Sequence, residues 1–386
     1  MQRVYFDHAA TTPVHPEVIA AMLPYFHNSF GNPSSIHSFG RESRQAVDSA
    51  RERVAKVLGA SPREIYFTSG GTEADNIAIQ GVALAKKGQG RHIITSQIEH
   101  HAVLDACKYL ETQGFAVTYL PVDEYGRVRV EDVLAALRPD TILITIMHAN
   151  NEVGTIQPIR EISAIAREHK VTFHTDAVQT VGSIPVNVDD LGVDLLTLSA
   201  HKFYGPKGIG VLYIRKGTKL KPLYHGGGQE RKFRPGTENH VGIIGLAKAL
   251  EIAAADMTSK QAEVAALRDK LMAGLLEIPE VKPNGHPTER LPGNVNISIR
   301  YVEGESLILS LDMQGVAVSS GSACTSGSLD PSHVLLAMGL SHGEAHGSLR
   351  LTLGRDTTPA EVDYVLSILP PIVLRLRQMS PLFHKR

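Results

Sequence analysis

The chain predicts an α/β fold built on a mostly parallel sheet, and two patterns carry that expectation. Apolar runs of strand length alternate with amphipathic stretches of helix length over residues 41–214, and several runs are too uniformly apolar to have a solvent face. After about residue 235 the alternation gives way to long helices and scattered short strands, which predicts a second, smaller α+β unit. The expected division is a large domain over residues 15–255 and a small C-terminal domain over 256–386, together with 1–14. The junction is expected at Ala255–Ser259.

The elements follow in order. Arg41–Leu58 places Ala46, Val47, Ala50, Val54, Val57 and Leu58 on one face, and Gly59 ends that helix. Strands are expected at Glu64–Thr68, His92–Thr95, Phe115–Leu120, Thr141–Met147, Val171–Thr175, Asp194–Leu198 and Ile209–Ile214. Helices are expected between them, among others at Glu73–Lys86, Ala102–Thr112 and Ile159–His169. Two long helices follow, Glu238–Ala255 and Ala262–Ile278, the second stopped by Pro279. The remaining pattern is a strand at Asn294–Ile299, a helix at Glu305–Asp312, strands at Val316–Ser319 and Leu349–Leu353, and a last helix at Pro359–Gln378.

Bulk properties exclude several classes. A net charge of −1 with no long charged block argues against an electrostatic nucleic-acid or membrane-surface binder. No apolar run reaches membrane-spanning length and the start lacks a signal-peptide pattern, so a cytoplasmic protein is expected. The two cysteines, Cys107 and Cys324, can make neither a disulfide framework nor an all-cysteine zinc site. The 18 histidines are scattered, without a helical pair and third ligand.

Five polar clusters lie where expected strands end. Ser199-Ala200-His201-Lys202 leaves an apolar strand. A partly desolvated lysine there is a candidate for Schiff-base chemistry, although a lysine can equally cap a strand end and face water. Ser69-Gly70-Gly71-Thr72-Glu73 sits between strand and helix, where glycines allow close approach and helix N–H groups suit a phosphate; a plain turn is the alternative. Asp176 ends an apolar strand and needs a partner, unless it is a helix cap. In Ile98-Glu99-His100-His101, adjacent histidines do not share a helix face, so a metal pair is a poor reading. One imidazole lying over an aromatic ligand fits better. Asn150-Asn151 follows another strand and also suits a turn.

Taken singly each cluster is ambiguous. Together they supply an amine, a carboxylate, a phosphate seat, an imidazole and amide donors at one sheet edge. Pyridoxal 5'-phosphate needs that set, because its pyridine nitrogen stays protonated beside a carboxylate and its phosphate suits a helix end.

The motifs SGGTEADN, IEHHAVLDAC, MHANNEVG, HTDAVQ, LSAHKFYGPKGIG, RPGTEN, SSGSACTSGS and LRLTLGR resemble the NifS/IscS-like cysteine desulfurases of the class V aminotransferase group. The resemblance runs from Tyr5 to about Tyr364. It implies the fold-type I pyridoxal-phosphate transferase fold, a homodimer and desulfuration of L-cysteine to L-alanine. It also implies an iron–sulfur scaffold protein or other persulfide acceptor as partner. Lys202 is implied as the cofactor lysine that also moves protons at the substrate α-carbon, Asp176 as partner of the pyridine nitrogen, Gln179 at the phenolic oxygen, Asn151 near the phenolic oxygen and the substrate, and His100 as the stacked ring and a catalytic acid or base. Gly71, Thr72, Ser199 and His201 are implied at the phosphate, with Thr237 arriving from a second subunit. Arg350 would clamp the substrate carboxylate, and Cys324 would attack the substrate sulfur.

Cys324 separates this reading from its rivals. It lies in Ser319–Ser328, a run with five serines, two glycines and little apolar surface, which is expected to be mobile. A mobile thiol suits a group that meets substrate in one place and an acceptor in another. A structural cysteine is expected in an apolar element, as Cys107 is. A class V aminotransferase explains Lys202 and Asp176 but not Cys324. A selenocysteine lyase shares the whole set, and a non-catalytic docking subunit needs neither Lys202 nor Cys324.

Overall fold

The structure, a computed structural model, describes residues 3–320, 331–381 and 383. In chain order its strands are β1 (Val4–Tyr5), β2 (Ile65–Thr68), β3 (His92–Ser96), β4 (Ala116–Leu120), β5 (Thr141–Thr145), β6 (Thr172–Asp176), β7 (Leu195–Ser199), β8 (Gly210–Ile214), β9 (Val281–Pro283), β10 (Asn294–Ile299), β11 (Val316–Ala317) and β12 (Ser348–Thr352).

Seven strands form the central sheet in the order β2-β8-β7-β6-β5-β3-β4. β8 runs antiparallel to both neighbours, and the other pairs are parallel. The inner strands β3, β5, β6, β7 and β8 are buried at every residue, which is why they read as unbroken apolar or threonine-rich runs. One face is covered by helices Ser38–Leu58 and His240–Ala255, through Val47, Val54, Leu58 and Leu246. The other is covered by Gly71–Lys86 and His101–Thr112, through Ile77, Val82, Val103 and Leu110. Ser38–Leu58 begins with His37 accepting the Gly40 N–H and ends on Gly59 at φ 70°, a left-handed cap that glycine takes without strain.

A second apolar core lies between the antiparallel sheet β12-β10-β9 and the helices Met257–Leu276, Gly304–Asp312 and Pro359–Met379. Val4 and Phe6 belong to this core, because β1 pairs in parallel with β11. The expected junction at Ala255–Ser259 takes a different form. Helix His240–Ala255 and helix Met257–Leu276 are separated by Asp256 alone, at φ −120°, and Ser259 is helical. Arg355 pairs with Asp256 at 2.9 Å across this corner. Among the described residues no helix is long and apolar enough to cross a membrane.

Candidate active site

Parallel strands release the chain at one edge of a sheet, and the predicted residues collect there. Asp176 ends β6, opposite Thr197 of β7. Ser199 ends β7, and the single turn Ala200–Lys202 carries Lys202 off that edge. Asp176 is 7 % exposed. Burial raises its pKa to about 6, while the hydrogen bond from the Val178 N–H and the charge of Lys202 pull it back down.

The N-terminal segment closes over this edge. Lys202 Nζ donates to the carbonyls of Ala9 and Ala10, the second at 2.9 Å. Gln179 Nε2 donates to the same Ala9 carbonyl at 3.1 Å. Thr12 stitches the segment down: its N–H and its hydroxyl donate to the His201 carbonyl, and its oxygen accepts the Tyr204 N–H at 2.8 Å. His201 Nδ1 lies 3.1 Å from the Thr11 hydroxyl. Burial, then the charges of Lys202 and Lys207, lower the His201 pKa to about 4, so its ring is neutral.

Helix Gly71–Lys86 starts without a side-chain cap, and Gly70 before it holds φ 150°, ψ −174°. A Cβ on Gly71 would come within 2.9 Å of the Val178 side chain. Ser199 Cβ lies 3.9 Å from that point, which places Ser199 beside the uncapped helix end. Thr72 is exposed in the first turn. Glu73 folds back onto the Ser69 N–H and pairs with Arg234 at 3.0 Å. The result is an anion seat made of N–H groups and hydroxyls.

His100 caps helix His101–Thr112, with Nδ1 accepting the Ala102 N–H at 3.1 Å. Burial, then Lys202, lower its pKa to about 4. The ring is therefore neutral with its proton on Nε2. Asn151 and Arg350 also meet, though through the Asn151 backbone: Arg350 Nη1 donates to the Asn151 carbonyl at 3.0 Å. Arg350 Nη2 pairs with Asp7 at 3.0 Å, and the buried Nε has no hydrogen-bond partner among the described residues. Thr237 is exposed in the turn before helix His240–Ala255. Cys324 lies outside the described residues. Cys107 is buried, and burial raises its thiol pKa, as expected of a structural cysteine.

Several residues went unpredicted. Asp7, Ala9 and Ala10 reach the site only through tertiary folding. Glu99 is fully buried, accepting from Ser96 and from the Met147 N–H, and burial raises its pKa to about 8. Glu152 is buried too, taking a hydrogen bond from Ser332, and burial raises it to about 7. His333 Nε2 lies 3.0 Å from the Glu99 carbonyl. Asp75 is buried on helix Gly71–Lys86; a carboxylate between Ala74 and Ile77, Ala78 on an apolar helix was the sequence signal for it. Among the described residues no cluster of three or more His, Cys, Asp or Glu could hold a metal ion.

A lysine, a buried carboxylate and an anion seat on one edge of such a sheet define the class: the chain belongs to the aminotransferase class V family, whose sequence model matches residues 4–365. Within that family it is similar to the cysteine desulfurase IscS of Methanosarcina thermophila, 58% identical over 382 residues, covering 99% of this chain and 95% of the relative. A solved NifS-like protein superposes with a TM-score of 0.92 at 42% identity, covering 97% of this chain and 100% of the other. A structure described as SspA in complex with cysteine superposes with a TM-score of 0.81 at 40% identity, covering 92% and 100%.

Proposed function

We propose that this protein is a cysteine desulfurase that converts L-cysteine to L-alanine and carries the sulfur, as a persulfide on Cys324, to an acceptor protein. The observation that carries the reading is the meeting of Lys202, Asp176 and the uncapped helix at Gly71 on one sheet edge. It occurs in a chain that matches cysteine desulfurases over nearly its whole length.

The residues present fit pyridoxal 5'-phosphate, the cofactor of the class V group. The anion seat suits its phosphate, and a buried carboxylate raised in pKa suits a protonated pyridine nitrogen. When bound, it supplies an electron sink for the substrate's carbon skeleton. Gly71, Thr72, Ser199 and His201 would hold the phosphate, Asp176 the pyridine nitrogen, and Gln179 and Asn151 the phenolic oxygen. His100, neutral, would lie over the ring. Lys202 would hold the aldehyde end of the cofactor and move the proton at the substrate Cα. To do so it must exchange its carbonyl partners at Ala9 and Ala10. Arg350 would take the substrate carboxylate, and its Nε is the donor left over.

Cys324 would act as a thiolate. Its S–S bond to the substrate sulfur forms as the substrate Cβ–S bond breaks. The bonding pair stays with the carbon skeleton, which takes up protons and leaves as alanine; sulfur is oxidised as carbon is reduced.

In this reading residues 15–255 hold the cofactor, and 256–386 with 1–14 carry Arg350 and the Cys324 loop. Two copies would meet over the segment that exposes Phe26, Phe30, Ile36 and Phe39, with Ile36 90% exposed, and Thr237 would reach the partner's phosphate seat. The acceptor would be an iron–sulfur scaffold protein or another persulfide acceptor. The test is the purified protein with L-cysteine and a reductant. Alanine and sulfide in equal amounts without any keto acid support the reading; alanine formation that depends on a keto acid overturns it. Sedimentation velocity tests the dimer.

A further inference from the structure

Asp75 is a buried carboxylate for which the mechanism above has no use. It lies one residue turn beyond Thr72 on the helix that begins at the anion seat, and it is 1% exposed. The Thr197 hydroxyl stands near it and favours its ionised form. Its Oδ1 has no hydrogen-bond partner among the described residues and lies 3.6 Å from His174 Nε2. Among the described ion pairs, His174 is its only cationic counterpart, and burial holds that ring neutral, with its pKa lowered to about 3.

His174 is wired on both sides. Nδ1 lies 2.8 Å from the Thr145 hydroxyl and Nε2 lies 3.0 Å from the Thr197 hydroxyl. Thr197 is the register partner of Asp176. A polar chain thus crosses β5, β6 and β7 through Thr145, His174 and Thr197, and His174 faces Asp75. The charged groups that act on Asp75 are Asp176 from β6 and Glu99 from the loop after β3; both oppose its ionisation. Lys202 favours ionisation of Asp176. Two carboxylates in one dry pocket cannot both ionise cheaply, and the cation sits on the side of Asp176.

We propose that Asp75 is a positioning residue that keeps a proton: as a neutral acid bridged to His174 and Thr197, it leaves the pocket's negative charge on Asp176. That charge is then available to the pyridine nitrogen, so the inference rests on the cofactor reading above. The same bridge ties the helix that offers the phosphate seat to the strand that offers Asp176, and so fixes the spacing between the two.

The test uses the full-length protein with and without added pyridoxal 5'-phosphate. Infrared difference spectra at neutral pH should show protonated-carboxyl carbonyl stretches, with one component that is lost in Asp75→Asn but kept in Glu99→Gln and a second, from Glu99, that behaves the other way round. Asp75→Leu, which removes the bridge, should weaken cofactor binding about tenfold relative to Asp75→Asn, as expected when one hydrogen-bonded partner is left unpaired. A protonated-carboxyl band in Asp75→Asn as intense as the parent's would show Asp75 ionised and overturn the proposal. Equal cofactor affinity in Asp75→Leu and Asp75→Asn would overturn the bridge. Wild-type protein that binds no pyridoxal phosphate would refute the cofactor reading instead, while the infrared band of the cofactor-free protein would still decide the proton's location.

Discussion

Ser319 and Arg350 exchange backbone hydrogen bonds in both directions, Ser319 N–H to the Arg350 carbonyl at 3.1 Å and Arg350 N–H to the Ser319 carbonyl at 2.7 Å. The first serine of the run that contains Cys324 is therefore fastened to the candidate substrate arginine. On the far side of residues 321–330, Ser332 binds Glu152 and His333 binds the Glu99 carbonyl, next to His100. Both flanks of the cysteine run are thus anchored at the proposed site.

Arg350→Lys keeps a cation beside Asp7 but loses the planar fork. KM for L-cysteine should rise about tenfold or more, with a smaller change in kcat, because a bidentate carboxylate contact is lost. Steady-state kinetics over a range of cysteine concentrations measure the split. An unchanged KM would remove Arg350 from the substrate site.

Cys324→Ser should abolish alanine and sulfide production, by about a hundredfold or more, while the bound cofactor's absorbance stays as in the parent. Cys107→Ser alters a thiol buried in the apolar packing of helix His101–Thr112 and should leave turnover unaffected. Parallel assays of the two variants distinguish a catalytic thiol from a structural one. Full turnover in Cys324→Ser would refute the sulfur-transfer step.

Arg51 makes a two-pronged buried pair with Glu230, at 2.8 and 2.6 Å, and the Glu230 carboxylate also accepts the Phe67 N–H at 3.0 Å. Glu230, Arg231 and Lys232 hold φ values of 43°, 57° and 65°, left-handed geometry that is costly for side chains with a Cβ. Glu230→Gln leaves the Arg51 charge buried and releases this turn. The expected loss is about 3 kcal/mol of stability, read as a lower urea midpoint. A midpoint within error of the parent would show that the pair does not hold the turn.

Glu99 gives a signed pH dependence. Burial raises its pKa from 4.5 to about 8, so the folded state binds its proton more tightly than the unfolded state. The stability it contributes is complete below pH 4.5 and is lost as pH rises through about 8. Glu99→Gln should flatten this part of the stability profile, as read from urea midpoints of the cofactor-free protein across that window. The buried histidines act in the opposite sense: His100, lowered to about 4, loses its contribution as pH falls from 6.5 towards 4. A Glu99→Gln profile as steep as the parent's would show that Glu99 is ionised in the fold.

The central elements were legible because burial on both faces leaves a plain mark. β5 and β7 are apolar apart from threonine and one terminal serine, and residues that follow such strands must lie at the sheet edge. Asp176, Ser199 and Lys202 were found on that ground. The helices Pro16–Met22, His333–Ala337 and His342–His346 were missed, since one to two turns carry too little periodicity to register. At the expected junction, Ala255–Ser259, a single residue turns one helix into the next.

By itself the chain's order of residues determined the sheet, the helices that cover it and the polar groups at its edge. Those depend on periodicity and on local turn chemistry, which act over a few residues. Only the tertiary structure decided which distant groups answer them. The Ala9 and Ala10 carbonyls receive Lys202, Asp7 and the Asn151 carbonyl receive Arg350, and Asp75 comes to face His174. Each of these is a pairing between elements far apart along the chain, set by the need of buried polar groups to find partners where the packing brings them.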